Sequence, residues 1–142
     1  MSDAWIFLSI GDSGGCEKWV PLDELIRAAD SNNHAIPTIA ELEQSVSNLT
    51  GAGLVEADGV LTRLTASGCH AHRAANQKRV GHIQRMFDLS HEWKARGYPP
   101  TAPKSWWLDE ATYRGALASY HAWFQDAYAR LRARTEDTQP AD

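Results

Sequence analysis

Residues 11–15 read GDSGG, a pentapeptide that surrounds the nucleophilic serine in one class of proteases, so Ser13 is the first candidate for chemistry. A serine nucleophile needs a base within hydrogen-bond reach and a third group that orients this base. Proteases with this motif place their histidine upstream, whereas no histidine precedes Ser13 here. Glycine gives a loop its backbone freedom. The sequence therefore predicts a glycine-rich connection at residues 11–15 and no catalytic role for Ser13.

A second set of reactive side chains lies at residues 69–72, which read CHAH. Cys69 and His72 share a helix face at a spacing of three, and Cys16 could add a third ligand for zinc. A structural zinc site needs a fourth ligand, and neither a C-x-x-C nor an H-x₃₋₅-H spacing is present. We therefore predict no metal and no cofactor, with metal binding by Cys69 and His72 as the alternative. Two cysteines in this pattern favour reduced thiols in a cytoplasmic protein.

Charge is divided unevenly along the 142 residues. Residues 1–68 carry three cations and ten anions, a net charge of −7, whereas residues 69–142 carry eleven cations and eight anions, a net charge of +3. Such an asymmetry concerns partners rather than fold. The longest apolar run, residues 5–10, is too short to span a bilayer. We expect a cytoplasmic protein that does not bind membranes.

The elements that must position these residues follow from local patterns. Pro21 opens a helix, and the pair Thr38 and Glu41 forms the capping box of a third helix. The apolar residues of that helix recur at helical spacing as Leu42, Val46 and Leu49. Asp58–Gly59 then separates two alternating apolar segments, which is a strong hairpin signal. Residues 4–10 could form either a buried helix or a strand.

Residues 41–68 resemble the winged helix-turn-helix domains of MarR- and PadR-type bacterial transcriptional regulators. In those domains a helix ending in L-x-x-A/x-G-L-V leads into a wing that closes with L-T-x-x-G. The corresponding residues are Leu49, Gly53, Leu54, Val55, Leu64, Thr65 and Gly68. The resemblance implies a mainly α fold, in which three helices and a two-stranded wing occupy residues 1–68.

Two long C-terminal helices are predicted to follow in residues 69–134, either packed on the first domain or forming a dimer interface. Residues 135–142 are predicted to be a disordered tail. In the last helix, expected at 109–134, apolar residues alternate by four and three, a seam suited to helix packing. They are Tyr113, Leu117, Tyr120, Phe124, Ala127 and Leu131. We expect this stripe to be buried against the winged-helix body, the preceding helix or a second protomer.

The predicted third helix contains no lysine or arginine, which disfavours contact with phosphates. The polar residues expected on its outward face are Glu41, Glu43, Gln44, Ser45, Ser47, Asn48 and Thr50. No convergent acid, base and nucleophile is visible, so we predict that the protein is not an enzyme. The preferred hypothesis is a protein-interaction module, or a regulatory protein, that binds a partner or its own copy.

The contacts of this module would be Glu41, Glu43 and an aromatic pair, Trp106 and Trp107. Packing in the core is the other explanation for the tryptophans, and we favour it. The alternative function is a DNA-binding regulator that dimerises through its C-terminal helices. Its contacts would be Gln44, Asn48, Arg63, Arg73, Lys78 and Arg79. A third-helix face covered by another element would favour the first hypothesis, and a basic groove across a dimer the second.

Overall fold

The computed structural model describes residues 2–100 and 102–138, and these residues form a mainly helical fold with a two-stranded antiparallel sheet. The predicted fold class is confirmed. The elements within the described residues are α1 (Ser2–Asp12), α2 (Leu22–Asn33), α3 (Ile39–Gly51), β1 (Val55–Asp58), β2 (Leu61–Leu64), α4 (Ala66–Asn76), α5 (His82–Ala95) and α6 (Glu110–Asp137). None of the described helices is long and apolar enough to cross a membrane.

Helix α1 is the centre of the core. Residues 4–10, for which the sequence allowed helix or strand, are helical and buried on every side. A helix that is apolar all round must be covered all round, and α1 is packed by α2, α3, α4, α5 and β2. Within this core the Trp5 indole N–H donates to the carbonyl of Ala29 at 2.9 Å, which ties α1 to α2.

The hairpin and one further residue complete a winged-helix arrangement. Val55 lies opposite Leu64 in the β1–β2 ladder. Gly59 takes a left-handed φ of +58° in the turn between the strands. Val20, just before α2, forms a β-bridge with Thr62 and exchanges backbone hydrogen bonds with it at 2.7 and 3.2 Å. The sequence predicted the hairpin but not this bridge, because a single paired residue leaves no alternating pattern.

The GDSGG segment ends α1. Gly11 and Asp12 belong to the helix, so only the second part of the motif is the connection that we expected. Gly14 adopts a φ of +89°, and the Gly15 N–H donates to the Ile10 carbonyl at 3.0 Å, a typical glycine-based helix termination. The Ser13 hydroxyl donates to the Ser9 carbonyl at 2.8 Å. The motif thus has a structural explanation that does not involve protease chemistry.

The extension after the wing contains α4, α5 and α6. Residues 77–81 interrupt what the sequence suggested was one continuous helix, and Gly81 is the N-cap of α5. Helix α6 continues to Asp137, so the predicted disordered tail is wrong for residues 135–137. Thr138 is the C-cap of α6, and residues 139–142 of the predicted tail lie outside the described residues.

The first half of α6 packs on α2. The Tyr113 hydroxyl donates to the Pro37 carbonyl at 2.8 Å, and the buried Tyr120 donates its hydroxyl to the carboxylate of Asp30. Burial, together with this bond to Asp30, raises the pKa of Tyr120 to about 12. Further along, the Arg27 guanidinium lies 4.4 Å from the centre of the Trp123 ring.

Gly11→Ala tests the packing at the end of α1. A Cβ atom at Gly11 would lie 2.2 Å from the His72 ring. We expect the free energy of unfolding to fall by about 1–3 kcal/mol, as is usual for overpacking. Gly115→Ala is the matched control, because a Cβ atom there meets no atom within 4 Å. This control should stabilise α6 by up to about 1 kcal/mol. Urea unfolding of both variants measures the difference, and equal effects would contradict the packing.

Candidate interaction surface

Residues 102–108, here called the strap, lie across α3. The backbone N–H of Lys104 donates to the carbonyl of Ser47 at 3.1 Å. The N–H of Trp106 donates to the hydroxyl of the same serine at 3.0 Å. The N–H of Leu108 donates to a carboxylate oxygen of Glu43 at 3.2 Å. These bonds repeat at every second residue, so an extended segment is held along the helix.

The strap also reaches the wing. The Trp106 indole N–H donates to the carbonyl of Gly59, in the hairpin turn, at 2.8 Å. At the other end of the strap, a Cβ atom at Gly51 would lie 2.7 Å from the carbonyl oxygen of Ala102, so the chain crosses the end of α3 in close contact. In winged-helix DNA-binding proteins the third helix enters the major groove and the wing touches the backbone. The strap therefore covers the groove between the two elements that such a protein would present to DNA.

The acidic residues predicted to face outward on α3 hold local structure. An oxygen of Glu41 accepts the backbone N–H of Thr38 at 2.9 Å, and the Thr38 hydroxyl accepts the N–H of Glu41, which confirms the predicted capping box. Glu43 binds the strap. Both side chains are partly exposed, and Gln44, the residue after Glu43, is exposed. Their negative charges therefore remain at the surface even though their oxygens accept hydrogen bonds from the chain itself.

Two residues of the predicted outward face are buried, so that part of the prediction is wrong. Ser45 has no exposed surface, and Asn48 is 8% exposed. The Asn48 amide donates to Asp3 of α1 at 3.0 Å. Asp3 also accepts the hydroxyl of Tyr98, whose pKa is raised by burial and by this bond. Helix α1 covers this side of α3, and Asn48 is therefore not positioned to contact a base.

The candidate cations are dispersed. Arg63 lies on the wing, where it pairs with Glu56 at 2.8 Å and stacks over the Trp19 ring at 4.3 Å. It is the only lysine or arginine in residues 39–64. The others are exposed at the end of α4 and in the segment after it, as Arg73, Lys78 and Arg79. The face formed by α3 and the wing thus carries one cation, and this cation is already paired.

The two adjacent tryptophans have different environments. Trp106 is partly buried and fixes the strap to the wing. Trp107 points away, with 79% of its surface exposed. Among the remaining tryptophans, Trp5 and Trp93 are buried in the core. The sequence predicted Trp106 and Trp107 together as contact residues. In the structure, only Trp107 of this pair has most of its side chain exposed to solvent.

The C-terminal half of α6 carries large exposed apolar side chains. Phe124 is 54% and Leu131 61% exposed, and Trp123 and Tyr128 are similarly exposed beside them. Within one chain the stripe is therefore covered only as far as Tyr120, and burial of the rest by a second protomer stays a prediction. The reason is geometric: α6 packs mainly on α2, which has 12 residues, whereas α6 has 28. Sequence periodicity shows that a stripe exists, but not how far its partner extends.

The residues considered for zinc are engaged with other groups. Cys69 forms a disulfide with Cys16, with Cα atoms 5.7 Å apart, so the expectation of two reduced thiols is wrong. His72 is buried with its Nε2 atom 2.9 Å from a carboxylate oxygen of Asp12. Within the described residues no three potential ligand side chains form a group that could hold a metal. Disulfides persist mainly in oxidising environments, so the cysteines do not support a cytoplasmic location.

No family model matches this chain, and neither the comparison with characterised proteins nor that with solved structures found a match. Two features of the chain itself bear on its function, namely the covered α3 face and the exposed half of α6.

Trp106→Ala tests the strap. Loss of the indole contact with the wing should lower the free energy of unfolding by about 1–3 kcal/mol. It should also speed amide hydrogen exchange at Lys104, Trp106 and Leu108, whose N–H groups bond to α3. Trp107→Ala removes the same side chain from the next, exposed position and should leave both measurements nearly unchanged. Equal rates of amide hydrogen exchange in Trp106→Ala and Trp107→Ala would contradict the position of the strap on α3.

Asp12→Asn tests the partly buried pair with His72. Burial opposes ionisation of Asp12, but hydrogen bonds from His72 and Asn32 outweigh it and hold the pKa of this carboxyl below its usual value. A depressed carboxyl pKa stabilises the fold above the unfolded-state value of about 3.9, and this stabilisation is lost as pH falls through the folded-state value. Denaturant unfolding between pH 2 and 6, in steps of about one unit, should show a shallower acid loss for Asp12→Asn. An identical acid loss would contradict the pair.

Proposed function

We propose that this protein is a non-catalytic winged-helix module that acts by binding protein, with the exposed half of α6 as its contact surface. The observation that carries the proposal is the strap, because it occupies the groove through which a winged-helix protein would read DNA. The chain covers its α3 face and leaves a different apolar face exposed. Exposed aromatic and aliphatic side chains grouped on one face are typical of protein-binding sites.

Electrostatics also favour a protein partner. The first 68 residues carry a net charge of −7, and binding to a duplex depends on cations that displace the counterions of the phosphates. Glu41 and Glu43 remain partly exposed beside the strap, and Arg63 is paired with Glu56. Displacing the strap alone would therefore uncover a face that is still unsuited to phosphate.

The partner that this surface fits best is a second copy of the chain. The four-and-three spacing of α6 places three residues against α2, namely Tyr113, Leu117 and Tyr120. The same seam continues beyond α2 with Phe124, Ala127 and Leu131. A helical seam of this kind pairs with an identical seam across a two-fold axis, so one surface serves both protomers. The resemblance to MarR- and PadR-type regulators, which dimerise through C-terminal helices, points the same way.

The overhanging helix is stabilised along its own surface. Arg130 pairs with Asp126 at 3.0 Å, at a spacing of four residues. Such pairs contribute only about 0.2–0.5 kcal/mol each and are screened by salt. They favour the helical form of a segment whose apolar face is not packed within one chain. Because this apolar face is already helical before a partner binds, its association costs little conformational entropy.

Sedimentation equilibrium of the double variant Phe124→Gln with Leu131→Gln tests self-association. We expect the unmodified chain to dimerise and the variant to dimerise at least about a thousandfold more weakly, since two hot-spot side chains at about 2 kcal/mol each sum to about 4 kcal/mol and 1.4 kcal/mol is tenfold in affinity. Ala122→Gln is the matched control, because it adds the same side chain at an exposed position of α6 off the seam. This variant should dimerise like the unmodified chain.

Two results would count against the proposal. A chain that stays monomeric at all concentrations would exclude the second copy as partner. Tight, sequence-selective binding of genomic DNA fragments in a fluorescence-anisotropy titration, with a steep salt dependence, would favour the DNA-binding regulator. The titration should include Trp106→Ala, because release of the strap would reveal any duplex binding that the strap prevents. We expect little duplex binding by either form.

A further inference from the structure

A cavity of about 570 Å³ opens between α4 and α5, and none of the residues that line it belongs to α6. The linker at residues 77–81 joins the two helices, and the lining also includes Ala52 at the end of α3, Leu54, Tyr98 and Pro100. Pockets for small molecules usually have volumes of about 300–1,000 Å³, so the size suits such a ligand.

The walls of the cavity are apolar in the middle. Helix α4 contributes three small side chains, Ala71, Ala74 and Ala75, which keep the space open. Helix α5 contributes Leu89 and Trp93 opposite them. This lining suits the hydrocarbon part of a ligand, because apolar surface is removed from water on both sides.

The charged residues of the walls are not equally available. Asp88 accepts a hydrogen bond from the Gln84 amide at 2.8 Å. Glu92 pairs with Arg96 at 2.8 Å. Each acidic group of the cavity thus has a partner on α5 or at its C-cap, and the charge of Glu92 is offset by Arg96, whereas Asp88 keeps its negative charge.

Arg85 is different. It lines the cavity, and its Nε atom is buried without a hydrogen-bond partner among the described residues. A buried donor that is left without an acceptor costs free energy, and more so when the group is charged. Arg85 lies close enough to Asp12 to help hold the pKa of that carboxyl low. Even so, no oxygen of Asp12 accepts from Arg85 Nε. The exposed Lys78 lies at the same cavity, so cationic groups are available at one site.

We propose that this cavity binds a small amphipathic monocarboxylate. The carboxylate would accept hydrogen bonds from Arg85, with Lys78 adding a second positive charge, and the hydrocarbon body would lie between the alanines of α4 and Trp93. Guanidinium groups bind carboxylates with two parallel hydrogen bonds, and the part of Arg85 that lines the cavity would donate them. This assignment does not depend on the function proposed for α6.

Displacement of the fluorescent probe 8-anilinonaphthalene-1-sulfonate from the full-length chain tests the site. Octanoate and octanamide are the competitors, since they share a hydrocarbon body and differ in charge. We expect octanoate to compete at least about tenfold more strongly, because hydrogen bonds to charged groups contribute more than 1.4 kcal/mol, which is tenfold in affinity. Equal competition by the two molecules would overturn the proposal.

Four variants locate the effect. Arg85→Gln should weaken octanoate at least about tenfold while octanamide changes little. Lys78→Gln, at an exposed position, should weaken octanoate to a smaller extent and guards against a folding defect in the first variant. Arg79→Gln is the matched control, because Arg79 follows Lys78 in the chain but does not line the cavity. Ala74→Phe fills the cavity and should reduce binding of both competitors, with folding checked by circular dichroism.

Four results would refute the site. Octanoate affinity could be unchanged in Arg85→Gln and Lys78→Gln. It could also be reduced equally in the Arg79→Gln control. Probe binding could persist undiminished in folded Ala74→Phe. Probe binding could also rise when the protein is diluted or when Phe124 and Leu131 are replaced by glutamine, which would show that a second copy of the chain fills the cavity.

Discussion

The hydrogen bonds that hold the strap on Ser47 determine much of the path that the chain takes into α6. One residue of α3 binds the strap twice, through its carbonyl to Lys104 and through its hydroxyl to Trp106. Two residues beyond Trp106, the chain reaches Leu108 and then the N-cap of α6. The direction in which α6 crosses α2, and hence which of its residues pass beyond α2, follows from where the strap is held. The covered α3 face and the exposed half of α6 are therefore two results of one path of the chain.

Features that depend on sequence neighbours could be predicted from the sequence. The capping box of Thr38 and Glu41, the hairpin turn at Asp58–Gly59 and the apolar stripe of α3 were all found, because each is determined by residues within a few positions of one another. The wing itself and the mainly helical class follow from these local patterns. Helix ends were less accurate, as at Asp137, where the tail is still helical.

Features that depend on distant residues could not be predicted. Cys16 and Cys69 are 53 positions apart, and Asp12 and His72 are 60 apart, so nothing in the sequence around either partner indicates the other. The inward orientation of Asn48 arises from α1, which meets α3 only in the folded chain. The candidate site was affected most by this limit. Glu43 was correctly placed near the surface, but its role in binding the strap requires contact with Leu108.

The half of α6 that extends beyond α2 also acts as a spacer, and the helix fixes both its length and the direction in which its outer face points. A helix rises about 1.5 Å per residue, so residues 124–137 project about 20 Å beyond the part that packs on α2. Whatever binds there is held away from the winged-helix body at a defined distance and angle. Removing one residue between Tyr120 and Phe124 would shorten the spacer only slightly but would turn the outer face by about 100° relative to α2. The relative orientation of two joined bodies would then be encoded in the number of residues in the helix, rather than in any contact between the bodies themselves.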